Sequence, residues 1–136
     1  MSPDEQPTKV RINSNDDVVR VRQLVRTLAQ ECRLSLVDQT KLITAASELA
    51  RNTLVHGGGG SMVTALVDNG TRRGVRVFFE DSGPGIPDMG LALTDGWTSG
   101  TGLGLGLSGS RRLVDEFAIE SEPGHGTSVT IVKWAR

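Results

Sequence analysis

Residues 75–85 constrain this chain more than any other stretch. Val75, Val77 and Phe79 alternate with Arg76, Phe78 and Glu80, the period of a strand with one buried face. The run ends in Asp81-Ser82-Gly83-Pro84-Gly85. The strand therefore delivers a carboxylate at its end, and the glycines let the backbone turn tightly behind it. An aspartate presented this way can accept a hydrogen bond from an exocyclic amine such as that of adenine. The same letters also compose an ordinary β-turn. Alone, the segment leaves both readings open.

Glu48-Leu49-Ala50-Arg51-Asn52 lies in a run with helical spacing. Ser35 can N-cap it, with Asp38 in the box position. Leu42, Ala46, Leu49 and Thr53 form the core-facing stripe, and the glycines from Gly57 to Gly60 stop the helix. Glu48 and Asn52 are four apart and share a face. At roughly 100° per residue that face lies about a third of a turn from the apolar stripe, at the edge of the core. A carboxylate and an amide oxygen there suit Mg²⁺ or the orientation of a hydroxyl. A Glu and an Asn on a helix flank are also common as solvated residues.

Gly100-Thr101-Gly102-Leu103-Gly104-Leu105-Gly106-Leu107 leads into Ser108-Gly109-Ser110-Arg111-Arg112-Leu113. Alternating glycines make neither a stable helix nor a stable strand. They can set successive backbone N–H groups around a phosphate, above all where they feed a helix N-terminus. Leu103, Leu105 and Leu107 are the wrong residues for a solvated linker.

An E-x-x-x-N helix, a D-x-G-x-G strand end and a G-x-G-x-G loop, in this order, resemble the GHKL ATPase family and its Bergerat ATP-binding fold. Gly124-His125-Gly126-Thr127 resembles the closing glycine–threonine motif of that family. The resemblance runs from about Lys9 to Trp134. At 136 residues the chain has room for one domain, without the added domains of gyrases, chaperones, mismatch-repair proteins or full sensor kinases. The small stand-alone members are serine/threonine kinases of bacterial partner-switching systems, within the anti-sigma regulatory factor family. Ser47-Glu48-Leu49-Ala50-Arg51-Asn52-Thr53 with Gly57-Gly58-Gly59-Gly60, and Asp95-Gly96-Trp97-Thr98-Ser99-Gly100, resemble the switch-kinase branch. So does Ser110-Arg111-Arg112-Leu113-Val114-Asp115-Glu116-Phe117.

The resemblance implies ATP and Mg²⁺ as cofactors. It implies phosphorylation of a STAS-domain antagonist in a stressosome and, for the freed kinase, activation of a metal-dependent phosphatase. The sibling class, the anti-sigma kinases, binds a sigma factor. A protein that uses ATP only as a shape switch is the non-enzymatic alternative. Among site residues, the resemblance makes Glu48 the general base and Asn52 the Mg²⁺ ligand. Asp81 would read the adenine amine, with Gly83 and Gly85 bringing the backbone to the base. Gly100, Thr101, Gly102, Leu103, Gly104, Leu105 and Gly106 would wrap the phosphates. Thr127 would support Asp81 or a bridging water.

The chain departs from the family in one respect. Residues 83–110, which include the lid, contain no Lys or Arg. Positive charge at the γ-phosphate would come from Mg²⁺, backbone N–H groups, Arg51, Arg111 or Arg112. Arg51 points about 100° away from Asn52, which suits a partner-facing role. His56 extends the Glu48–Asn52 row by a turn. A metal triad is conceivable there, but Asn is a poor transition-metal ligand. A favourable charge at the helix C-terminus is the simpler reading.

Fifteen basic and 16 acidic side chains leave a net charge of −1, so no nucleic-acid-binding field is expected. One cysteine, Cys32, excludes an intrachain disulfide and falls at helical spacing from Val21, Val25 and Leu28. No apolar stretch approaches the ~20 residues of a membrane span. A cytoplasmic location is expected. Residues 1–8 read as a flexible tail and 9–136 as the single domain. Strands are expected near 9–13, 61–68, 74–81, 117–122 and 127–134, and helices near 16–33, 36–56 and 103–116, with an irregular lid over 83–102. These elements predict an α/β (α+β) two-layer sandwich, a mixed and largely antiparallel sheet covered on one face by three helices. Gly104-x-Gly106-x-x-Gly109 also matches a dinucleotide fingerprint, but the strand that motif needs before it is missing.

Overall fold

The computed structural model describes residues 7–85 and 107–136. Strand β1 (Thr8–Ile12) leads into helix α1 (Asn15–Glu31) and helix α2 (Leu36–Val55). Strands β2 (Gly60–Asp68) and β3 (Arg73–Asp81) form a hairpin. Helix α3 (Leu107–Leu113) precedes a second hairpin, β4 (Glu116–Glu122) with β5 (Gly126–Trp134).

Both long helices start on serine caps. Ser14 Oγ accepts the Asp17 N–H, and Ser35 Oγ accepts the Asp38 N–H. Each satisfies a backbone donor that has no partner inside its own helix.

The five strands lie in the order β1-β2-β3-β5-β4, and every pairing among the described residues is antiparallel. No parallel component of the expected mixed sheet occurs there. The second hairpin inserts β5 beside β3 and leaves β4 at the edge. Val75, Val77 and Phe79 of β3 are buried, while Arg76 and Glu80 are exposed. Met62, Val75, Val77, Phe79 and Ile131 meet Val21, Val25, Ala29, Leu42, Ala46 and Leu49 in one core. The helices thus cover one sheet face, as the two-layer reading requires.

Helix α3 ends at Leu113, short of the expected residue 116. The next residues are taken by strand β5. The Asp115 N–H donates to the Val132 carbonyl, and Glu116 pairs with Val132 in the sheet. The lid and the phosphate-loop positions Gly100 to Gly106 lie outside the described residues apart from 83–85.

Candidate nucleotide site

Asp81 is the last residue of β3 and pairs across to Gly60. Its Oδ1 accepts two backbone N–H groups, from Gly83 at 2.9 Å and from Thr127 at 3.3 Å. Those bonds hold the carboxylate in one orientation and leave Oδ2 for another donor. Close backbone approach makes this possible. A Cβ on Gly57 would lie 2.6 Å from Asp81 Oδ2, and a Cβ on Gly83 would lie 2.7 Å from the Gly57 Cα. The segment after α2 therefore stacks directly on the turn after β3. Gly85 is buried against the Glu122 carbonyl, and the Gly124 N–H donates to the Pro84 carbonyl at 2.7 Å. In the fold, Gly83 and Gly85 pack backbone on backbone.

Helix α2 ends at the same place. The N–H groups of His56 and Gly57 both donate to the Asn52 carbonyl. Asn52, Thr53, His56, Asp81 and Thr127 line a slot whose walls are Leu49, Phe79, Leu107 and Val129. Apolar walls with a few convergent polar groups are the usual make-up of a small-molecule site.

Glu48 is half-buried one turn back along α2, outside the residues that line the slot. His56, Asn52 and Glu48 thus form a row about 12 Å long, at 1.5 Å per residue. The row runs from the slot back along α2. Arg51 is exposed on another face of the helix, and Arg111 and Arg112 are exposed on α3.

Thr127 reaches Asp81 through its backbone N–H, while its hydroxyl shares a 2.9 Å hydrogen bond with Ser121 Oγ. The sequence offered no sign of Ser121, which meets Thr127 only through the β4–β5 register. His56 is the C-cap residue of α2, yet its ring does more than face the helix end. Its Nε2 is buried and has no hydrogen-bond partner among the described residues. Among those residues no trio of His, Cys, Asp or Glu could hold a metal ion. A divalent ion here would take most of its ligands from phosphates and water, which is how Mg²⁺ is commonly bound. Cys32 is buried, and that burial pushes its thiol pKa up against a smaller opposing pull from Arg73. It is therefore a core residue rather than a nucleophile. His125 is exposed in the β4–β5 turn. No helix among the described residues is long and apolar enough to cross a membrane.

The sequence and the fold have counterparts in known proteins. The serine/threonine-protein kinase RsbT of Bacillus subtilis (strain 168) is 42% identical over 127 residues, 93% of this chain and 96% of the relative. The anti-sigma F factor of Clostridium novyi (strain NT) is 26% identical over 126 residues, 89% of this chain and 87% of the relative. Two solved structures share the fold. The RsbU and RsbW domains of Rv1364c from Mycobacterium tuberculosis superpose with a TM-score of 0.64 at 22% identity, over 96% of this chain and 33% of that one. The catalytic domain of the histidine kinase ThkA superposes with a TM-score of 0.54 at 20% identity, over 95% of each chain. The model of the histidine kinase-, DNA gyrase B- and HSP90-like ATPases matches residues 37–135. That span carries Glu48, Asn52, Asp81 and Thr127, and the chain belongs to this ATPase family.

Proposed function

We propose that this chain is an ATP-dependent serine/threonine protein kinase of a bacterial partner-switching pathway. One observation carries the reading: Asp81, Asn52 and Thr127, from β3, α2 and β5, line one apolar-walled slot, with Glu48 one turn back along α2. The 42% identity to a serine/threonine-protein kinase, spread over nearly the whole chain, supports transfer rather than binding alone.

In this reading Asp81 Oδ2 accepts the adenine amine. Asn52 would hold Mg²⁺ together with the nucleotide phosphates, and the ion would neutralise charge on them. Glu48 takes the proton of a serine or threonine hydroxyl as its oxygen attacks the γ-phosphorus, and ADP leaves. The glycine segment from Gly100 to Gly106, with Thr101, Leu103 and Leu105, supplies backbone N–H groups to the phosphates.

The acceptor would be a STAS-domain antagonist. A transferred phosphate adds about −1.5 to −2 charge beside Glu48 and the ADP phosphates, so repulsion ejects the product. The freed kinase then engages and activates a metal-dependent phosphatase. The exposed side of α1 and α2, including Arg51, is the surface proposed for both contacts. The location would be cytoplasmic.

The anti-sigma F factor relatives favour a second reading, a kinase that also holds a sigma factor. A pull-down from native extract, with and without ATP, separates the two. The proposed reading requires recovery of a STAS protein that then takes phosphate from labelled ATP. Recovery of a sigma factor without a STAS protein would move the assignment to the anti-sigma class.

A further inference from the structure

His56 Nε2 is the buried side-chain nitrogen that the fold leaves without a hydrogen-bond partner among the described residues. Folded proteins pair almost all such atoms, so an exception calls for a physical cause. Helix capping does not supply one, because the cap is made by the His56 backbone N–H to the Asn52 carbonyl. The ring lies in the wall of the slot that holds Asp81, among Leu49, Phe79, Leu107 and Val129. None of these four offers a polar side-chain atom to pair with it.

Asp81 by itself is a weak selector. A carboxylate accepts from any exocyclic amine, whether of adenine, cytosine or guanine. In adenine the 6-amine donor is flanked by two ring acceptors, N1 and N7. Guanine instead carries a carbonyl at position 6 and an N–H at N1. A site built from one acceptor at the 6-amine and one donor beside it fits adenine at both points; guanine misfits it at position 6, and also at the donor when the ring nitrogen is N1. An imidazole that carries a proton on Nε2 is such a donor. A buried polar group left unpaired by the wrong base discriminates far more strongly than shape in an apolar pocket.

The geometry points to His56 as a specificity-determining residue of the nucleotide slot: its Nε2–H donates to the ring nitrogen beside the 6-amine while Asp81 accepts from that amine. This inference rests on the reading of the slot as the adenine site. It assigns base selection to the pair Asp81 and His56, one at the end of β3 and one at the end of α2.

The test is calorimetry on the full chain with ATP, GTP, 7-deaza-ATP and 1-deaza-ATP, each with Mg²⁺. His56→Phe keeps a flat ring and removes the donor. It should weaken ATP about tenfold, the size of one well-placed hydrogen bond. His56→Gln places an amide N–H near the same point and should recover most of that loss. One deaza analogue should bind the wild type about as weakly as ATP binds His56→Phe, and should lose nothing further in that variant. The analogue affected names the ring nitrogen. Wild-type ATP affinity in His56→Phe would overturn the assignment, as would two deaza analogues that both bind the wild type like ATP. Asp81→Asn separates this failure from that of the underlying reading. If Asp81→Asn loses ATP while His56→Phe does not, the adenine site stands and the role of His56 is lost. If neither substitution changes ATP affinity, both fail.

Discussion

The two ends of the sheet treat their polar groups in opposite ways. Helix α2 and strands β3 and β5 run the full length between them. At one end Lys133 is only 5% exposed, and its Nζ lies 3.6 Å from both Asp38 and Asp115. Asp115 also accepts from Arg136 and from the Trp134 N–H, each at 2.7 Å. Trp134 Nε1 donates to Glu116 at 2.6 Å. The chain saturates its own charges there, as buried ions demand. At the other end Asp81 spends one carboxylate oxygen on two backbone N–H groups, and His56 Nε2 has no partner among the described residues. The contrast assigns work to each end. One end closes the fold on itself, and the other leaves His56 Nε2 without a partner among the described residues, where the proposed nucleotide would meet it.

Glu48→Ala gives the largest expected effect. Loss of a general base typically costs about 10²–10⁴ in rate. Phosphoryl transfer to the protein acceptor should fall by that factor, while calorimetry shows ATP still bound and the melting temperature stays near wild type. A variant that transferred at the normal rate would remove Glu48 from the chemistry.

Lys133→Met should do the reverse. It leaves Asp38 and Asp115 with only the more exposed Arg136 as a shared cation. The cost should be about 3 kcal/mol, at the low end for stranding buried partners because both carboxylates keep some solvent. Denaturant unfolding measures it, and ATP affinity should be unchanged at a temperature where the variant is folded. ATP affinity that fell along with stability would show that the two ends are coupled.

Asp81→Asn tests the site end by affinity. It substitutes an amide where the adenine amine needs an acceptor, for about 1–3 kcal/mol. ATP should weaken accordingly, with only a small change in unfolding. The reverse pattern, a large loss of stability with ATP affinity kept, would make Asp81 a structural residue.

The smallest effect concerns the cap of α1, which starts beside the site end of the sheet. The Asn13 N–H donates to Asp17 Oδ2 at 2.8 Å, and this bond is the main cause that lowers the Asp17 pKa, with Ser14 and Arg20 adding to it. A depressed carboxylate pKa stabilises the fold above the ordinary aspartate range. That contribution disappears as pH falls through the folded-state value. Asp17 should therefore titrate below the ordinary aspartate range in an NMR titration, and Asp17→Asn should flatten the acid limb of stability slightly. Titration in the ordinary range would show that the cap is loose.

Much of the fold was legible because its signals are local. Ser14 and Ser35 cap helices through bonds to residues three positions away. Glu48, Asn52 and His56 share a face because they are four apart. Val75, Val77 and Phe79 alternate into the core. The end of α3 was not legible, since what stops it is capture of Asp115 and Glu116 by Val132 and Trp134, 16 to 19 residues on. Nothing local marks Lys133 as buried; Asp38 on α2 and Asp115 before β4 explain it. Ser121 became visible only when the hairpin register set it beside Thr127.

By itself, then, the sequence determined the periodic elements, their caps and the strand end that carries Asp81, because hydrogen-bond geometry and side-chain period act over a few residues. The tertiary structure alone decided which polar groups are satisfied. Burial and pairing depend on groups far apart in the chain. Lys133 meets two carboxylates because α2 and the start of β4 converge on the end of β5. His56 loses solvent because Leu107, Thr127 and Val129 close around the end of α2. The same packing that closes one end therefore leaves His56 Nε2 without a partner among the described residues at the other.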